Sequence, residues 1–154
     1  MREPYNVVVY VFRTVAGGPE YAVFQRSDDG HWQGVSGGGE AGEDPPATAR
    51  RESAEEAGLP ETAPLYELDM ISGVEKECFA AAASWPEGLY IVTKHYFAID
   101  VTSQEDEIVL SGEHRAVGWL AYEAAREILR YDDDRTALWE LDQRLRRDHL
   151  PKAL

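Results

Sequence analysis

The 154-residue chain is short of cations, of cysteine and of long apolar runs. Lys and Arg together number 15 against 29 Asp and Glu, a formal charge of −14 at pH 7 with His neutral. A surface of that sign repels phosphate backbones and anionic lipid at long range, which argues against a nucleic-acid partner and against docking on a membrane. A small anionic ligand is compatible with it only where something local reverses the sign, and the usual agent is a bound divalent cation. The single cysteine, Cys78, excludes an intrachain disulfide and is expected to be a small buried side chain. The apolar stretches at 7–12 and 79–83 fall far short of the ~18 to 20 residues that cross a bilayer. The opening Met1-Arg2-Glu3-Pro4-Tyr5 has no basic segment leading into an apolar core with a cleavage site. Together these shortages predict a soluble, cytoplasmic protein.

What is present is material for a core. Hydrophobic residues make up 44% of the chain, with 4 Trp, 8 Tyr and 4 Phe, and no repeat, low-complexity tract or linker divides it, so residues 1–154 are expected to form a single domain. Val7 to Phe12 and Tyr21 to Phe24 read as a hairpin about the turn Ala16-Gly17-Gly18-Pro19. A glycine-dense stretch, Gly30 to Gly42, follows; such spacing suits backbone that turns tightly or lies against another group. The clearest helix has Asp44 as N-cap, Pro45 and Pro46 in its first turn and Gly58 at its end. Its apolar side chains are all small, so it must pack closely. Leu65 to Met70 and Ile91 to Val101 read as strands, Ile108 to Leu110 and Val117 to Leu120 as short strands about the turn Ser111 to His114, and Tyr122 to Leu129 and Thr136 to Arg147 as helices. Strands and helices mix without regular alternation, which predicts an α+β fold.

The first helix carries the chemistry. Glu52, Glu55 and Glu56 are spaced i, i+3 and i+4, so their carboxylates leave one face about a turn apart. On its own this describes a solvated helix face relieved by Arg50 and Arg51. Residues 37–59, however, hold six acidic side chains against two basic ones, directly after glycines whose carbonyls can join the cluster. Oxygen donors gathered this densely suit hard cations such as Mg²⁺ or Mn²⁺, which complete their shells with water and phosphate oxygens. A cation so placed would neutralise a diphosphate and lower the pKa of attacking water.

Gly37, Glu43, Arg51, Glu52, Glu55, Glu56, Gly58 and Leu59 together resemble the Nudix box, G-x5-E-x7-R-E-U-x-E-E-x-G-U with U aliphatic. Ser53 departs from it, standing where an aliphatic residue is expected. The resemblance implies a Nudix hydrolase, with a mixed central sheet in an α/β/α sandwich, that cleaves a phosphoanhydride of a small molecule with divalent metal. By the same resemblance Glu52, Glu55 and Glu56 hold metal or activate water, the Gly37 carbonyl is a further ligand, Arg51 orients the glutamates and Glu43 supports the loop-helix geometry. Which glutamate acts as base is left open, as is the oligomeric state.

The flanks narrow the resemblance. Phe24 to Asp29 and Trp32 to Gly37 are similar to a segment of bacterial dihydroneopterin triphosphate pyrophosphatases, also described as dATP pyrophosphohydrolases, and Glu113 to Leu120 is similar to that group's segment carrying an additional metal-binding glutamate. The likeness implies that Glu113 is a metal ligand or the base, that Arg26 clamps phosphate, and that Ser36 and Asp134 contact substrate. Trp32 is placed to stack on a purine or pterin ring, and His95, within a strand pattern, reads as structural. Hydrolases of other classes (nucleotide-sugar, dinucleoside polyphosphate, damaged nucleotide) and a non-catalytic ligand-binding module on the same fold stand as alternatives, because the box grips only the diphosphate.

Overall fold

Alternation along one long strand organises the molecule. In the computed structural model, which describes residues 1–103 and 108–154, β1 (Arg2–Val15) sends Val7, Val9 and Val11 to one face and Val8, Tyr10 and Phe12 to the other. Both sets are buried, so both faces of the sheet must be covered. The strand has three partners. Its Val11–Val15 half pairs antiparallel with β2 (Gly18–Arg26), across the turn expected from Gly17 and Gly18. The two-residue β3 (Trp32–Gln33) continues on β2. The first half of β1 pairs with β4 (Val35–Glu40), which holds the glycine run.

α1 (Pro45–Ala57) follows, within one residue of where its capping residues put it. Asp44 Oδ1 accepts the Ala47 N–H at 2.9 Å, and Gly58, at φ 68, closes the helix in the left-handed region. Thr48, Ala49, Ser53 and Ala57 are buried, so small side chains let α1 lie close on β4 and β1. Ser53, in place of an aliphatic residue, is fully buried with no partner for its hydroxyl. That arrangement forgoes both packing volume and a hydrogen bond.

β5 (Leu65–Glu75) is longer than expected, and its second half pairs with β6 (Ile91–Asp100) beyond a bulge. Between them run two short 3₁₀ turns, Lys76–Cys78 and Ala80–Ser84. Cys78 lies on the first and is exposed, correcting the expectation of burial, because a single 3₁₀ turn on a loop has no second layer above it. β6 runs parallel to β1, the parallel pair in an otherwise antiparallel sheet. Residues 108–110 form no strand. Instead Val109 and Ser111 donate their N–H groups to the Ala57 and Glu56 carbonyls, serving the open end of α1.

β7 (His114–Leu120) pairs with the free edge of β2, and α2 (Tyr122–Ile128) and α3 (Asp132–Arg146) close the far face. α3 begins four residues before the expected Thr136, because Asp132, Asp133 and Asp134 supply negative charge to its first turn. Leu138 and Leu141 are buried against that face with Ala125 and Leu129. The result is the α/β/α sandwich with a mixed sheet: α1 on one face, α2 and α3 on the other. Among the described residues no helix is long and apolar enough to cross a membrane.

Replacing Gly58 by Ala tests the closure of α1. The added methyl would sit 3.1 Å from Val109 Cβ in a left-handed backbone, and a loss of about 1–2 kcal/mol of stability is expected in denaturant unfolding. An unchanged midpoint would contradict this account.

Candidate active site

Arg51 is the hub around which the acidic residues arrange. Its Nε and Nη2 donate to the two oxygens of Glu43 at 2.7 and 3.0 Å, and Nη2 also donates to the Gly38 carbonyl at 2.8 Å. Nη1 reaches Glu52 at 3.0 Å and Glu55 at 3.2 Å. A planar fork gripped on two sides holds one orientation, which an ammonium would not do. Glu43 is fixed in turn: its Oε1 accepts from the Glu40 N–H at 2.8 Å and the Thr48 hydroxyl at 2.9 Å. The Tyr5 hydroxyl, 2.7 Å from Thr48 Oγ1, ties this knot to β1. The Arg51 hydrogen bonds, more than any other cause, hold the Glu43 carboxyl down at about 2.

Against this support stand the carboxylates with fewer partners. Glu56 is 2% exposed; its Oε2 accepts the Ser36 N–H at 2.9 Å, and its Oε1 has no partner. Burial pushes its pKa well up, and the nearby Glu113 carboxyl pushes the same way. Glu52 is pushed up to about 7, chiefly by burial, against the attraction of Arg51. Glu55, on the same helix, is half exposed. Glu113 comes from the turn before β7, whose Gly112 and Glu113 carbonyls accept from Ser27. Gly37 makes the approach possible: a Cβ there would lie 2.1 Å from the Glu52 carboxyl. Ser36, Gly37, Arg51, Glu52 and Glu113 line a cleft of about 490 Å³.

A buried carboxylate oxygen with no donor, beside two further carboxylates, suits a hard cation. Among the described residues no three acidic or imidazole side chains already enclose a common point. Water and substrate oxygens would complete such an ion's shell, as hard cations allow.

The other residues singled out in the sequence fall elsewhere. Ser36 borders both the acidic cleft and a second cavity of about 550 Å³. Arg26 lines the second cavity, its fork closed on Asp28 at 2.7 and 2.9 Å. Asp134 is on the same wall, buried, accepting from Lys94 Nζ at 2.9 Å and the Tyr96 hydroxyl at 2.8 Å. Trp32 is part-buried against the core of the α2–α3 face and is not among the residues lining either cavity. His95 packs edge-on to Tyr5.

Two cations escaped the sequence reading. Arg2 lies over Gly38 inside the acidic cleft, against the neighbouring rings of Phe79 and Trp85, and among the described residues no carboxylate pairs with it. Lys94 is 9% exposed, held between Asp133 and Asp134. Neither has a local signal; each reaches its place through strand pairing.

The NUDIX domain family matches residues 4–140. The asymmetrical bis(5'-nucleosyl)-tetraphosphatase of Sus scrofa is 32% identical over 122 residues, 79% of this chain and 77% of that protein. A structure from Listeria monocytogenes assigned as a NUDIX hydrolase is 35% identical, with a TM-score of 0.88 over 97% of this chain and 99% of that one. The E. coli dihydroneopterin triphosphate pyrophosphohydrolase is 26% identical, with a TM-score of 0.75 over 92% and 97% of the two chains.

The Glu43–Arg51 grip gives the fold an acid limit. Its carboxyl titrates at about 2 in the folded chain against 4.5 ordinarily, so its contribution is complete above pH 4.5 and disappears as pH falls through 2. Unfolding midpoints measured across that window should drop, and Glu43→Gln should flatten the drop while lowering stability at neutral pH.

Proposed function

The chain belongs to the Nudix family, a pyrophosphohydrolase fold acting on phosphoanhydrides, and from that premise we propose that it hydrolyses a nucleoside or pterin triphosphate of the dihydroneopterin triphosphate or dATP kind. The products are a monophosphate and pyrophosphate, and the cofactor is Mg²⁺ or Mn²⁺. The observation that carries this reading is the enclosed Glu56 carboxylate with one oxygen unserved, beside Glu52 and Glu113.

Glu52, Glu56 and Glu113, with Glu55 and the Gly37 carbonyl, would hold the cation. Bound there, such a cation would supply charge to offset what builds at phosphorus and would lower the pKa of the attacking water. The remaining work belongs to the chain. Arg51 keeps Glu52 and Glu55 aligned while itself clamped by Glu43. A carboxylate of Glu52, Glu56 or Glu113 takes the proton of the attacking water. Arg2 supplies the positive charge toward the polyphosphate that Arg51, saturated by carboxylates, cannot. Ser36 and Arg26 meet the substrate where phosphate gives way to the organic group, and Asp134 faces that group.

A second reading, hydrolysis of a dinucleoside tetraphosphate, is favoured by the likeness to the Sus scrofa enzyme. The box alone grips both kinds of substrate equally.

A substrate panel separates the readings. Dihydroneopterin triphosphate, dATP and diadenosine tetraphosphate are incubated with Mg²⁺, and pyrophosphate, phosphate and nucleotide products are resolved. Pyrophosphate release from a triphosphate is expected; exclusive turnover of the tetraphosphate would select the second reading. Glu56→Gln is expected to lower kcat by at least about 10²-fold, with folding retained, because a neutral amide replaces a buried acid of equal size. Wild-type turnover by that variant would remove the metal assignment.

A further inference from the structure

The Glu113 carboxylate stands on a turn that the rest of the molecule hardly covers. Across residues 108–120 every residue is exposed or half-exposed except His114, which is 4% exposed. The main chain of the turn is tied to its surroundings and to itself. Ser27 donates its N–H to the Glu113 carbonyl at 2.9 Å and its hydroxyl to the Gly112 carbonyl at 3.2 Å, and the His114 N–H donates to the Ser111 carbonyl at 3.3 Å. Glu113 and His114 are consecutive, so the direction in which the second is anchored limits the direction the first can take.

That anchor exists because of a shift in register. Gln25 on β2 stands opposite Ala116 and Arg26 opposite His114, so β7 carries one extra residue, Arg115, between them. A bulge of this kind re-aims side chains. Here it turns His114 to the side of the sheet that holds Phe24, with the two ring centroids 5.4 Å apart. The Arg115 guanidinium lies in the space that a Cβ on Gly30 would fill, so the glycine makes room for the extra residue. Gln33, opposite Phe24 on β3, completes the seat: its Nε2 lies 3.3 Å from His114 Nε2. An amide nitrogen only donates, so the ring accepts there. Packing alone does not call for an imidazole. An apolar side chain would cover Phe24 as well, whereas the buried Nδ1 has no partner among the described residues, which costs stability. What the imidazole adds is the directional tie to Gln33.

We propose that His114 is a positioning residue for Glu113: seated on Phe24 and tied to Gln33, it holds the turn so that the Glu113 carboxylate projects into the acidic cleft. Glu52, Glu55 and Glu56 share a helix and take their directions from it. Glu113 stands on a turn, and its aim depends on what is buried next to it. A carboxylate held in place by its supporting shell gives up less freedom when it takes a ligand. The inference rests on the hydrolase reading for what Glu113 does, and on geometry alone for what holds it.

The test follows Mn²⁺ alone, titrated into the intact chain with the free ion read by electron paramagnetic resonance, beside kcat and KM on the best substrate of the panel. His114→Leu keeps bulk against Phe24 and removes the tie. It is expected to weaken Mn²⁺ binding by about tenfold or more, with kcat falling likewise and KM little changed. His114→Gln, whose terminal amide reaches as far as Nε2, should recover most of both losses. In a Glu113→Gln background the His114→Leu change should add nothing, because a residue that acts through Glu113 has nothing left to act on. A folded His114→Leu variant with wild-type Mn²⁺ affinity overturns the proposal. So do losses that His114→Gln fails to recover, or that add in full to those of Glu113→Gln. Should His114→Leu not fold, Gln33→Leu, which removes only the tie, decides on Mn²⁺ affinity and on its additivity with Glu113→Gln. The expected Mn²⁺ pattern in a chain that hydrolyses no triphosphate would keep the anchor and sink the hydrolase reading, whereas turnover with fully additive effects would sink the anchor alone.

Discussion

The clamp between Arg51 and Glu43 is the contact on which the arrangement of the acidic cleft depends. Glu52 and Glu55 share a helix face, and the Arg51 guanidinium between them offsets their repulsion. Bidentate attachment to Glu43, reinforced by the Gly38 carbonyl, fixes the guanidinium from behind. The positive charge thus supports the carboxylates from beneath, leaving their outer oxygens for the cleft. Glu56 is secured differently, by a single backbone N–H from Ser36. One oxygen is anchored and the other has no protein partner.

The acidic helix was legible because its signals are local. Cap, spacing and glycine closure all lie within 23 consecutive residues, and none depends on how distant segments meet. The sandwich was legible for a related reason: β1 alternates apolar residues on both faces, which demands two layers. Arg2 and Lys94 were not legible. Arg2 reaches Gly38 only because β1 and β4 pair in a register that sets it opposite Glu40, and Lys94 meets Asp134 across forty residues of chain. The segment 108–110 has the β-branched composition of a strand, but its backbone is spent on the carbonyls at the end of α1. Cys78 shows the weakness of residue averages, since the surroundings of a short turn outweigh the general tendency of cysteine to be buried.

Two neighbouring cavities of opposite character meet at Ser36. One gathers the carboxylates of Glu52 and Glu113 with two arginines, Arg51 paired with carboxylates and Arg2 not. The other has Arg26 and Lys94 paired with Asp28, Asp133 and Asp134, and adds aromatic faces. Their separation follows from the sheet: α1 and the glycine strand build the first, while β5, β6 and the start of α3 build the second.

The glycines of β4 carry a last implication. Where Gly37 and Gly38 run beneath Glu52 and Arg2, the cleft floor is bare main chain, and any side chain grown from it would collide with one of those two. Evolutionary novelty therefore has little purchase on that floor. Substitution meets less resistance on the wall of the neighbouring cavity, around residues 74–79 and 131–134, where side chains already face the open space.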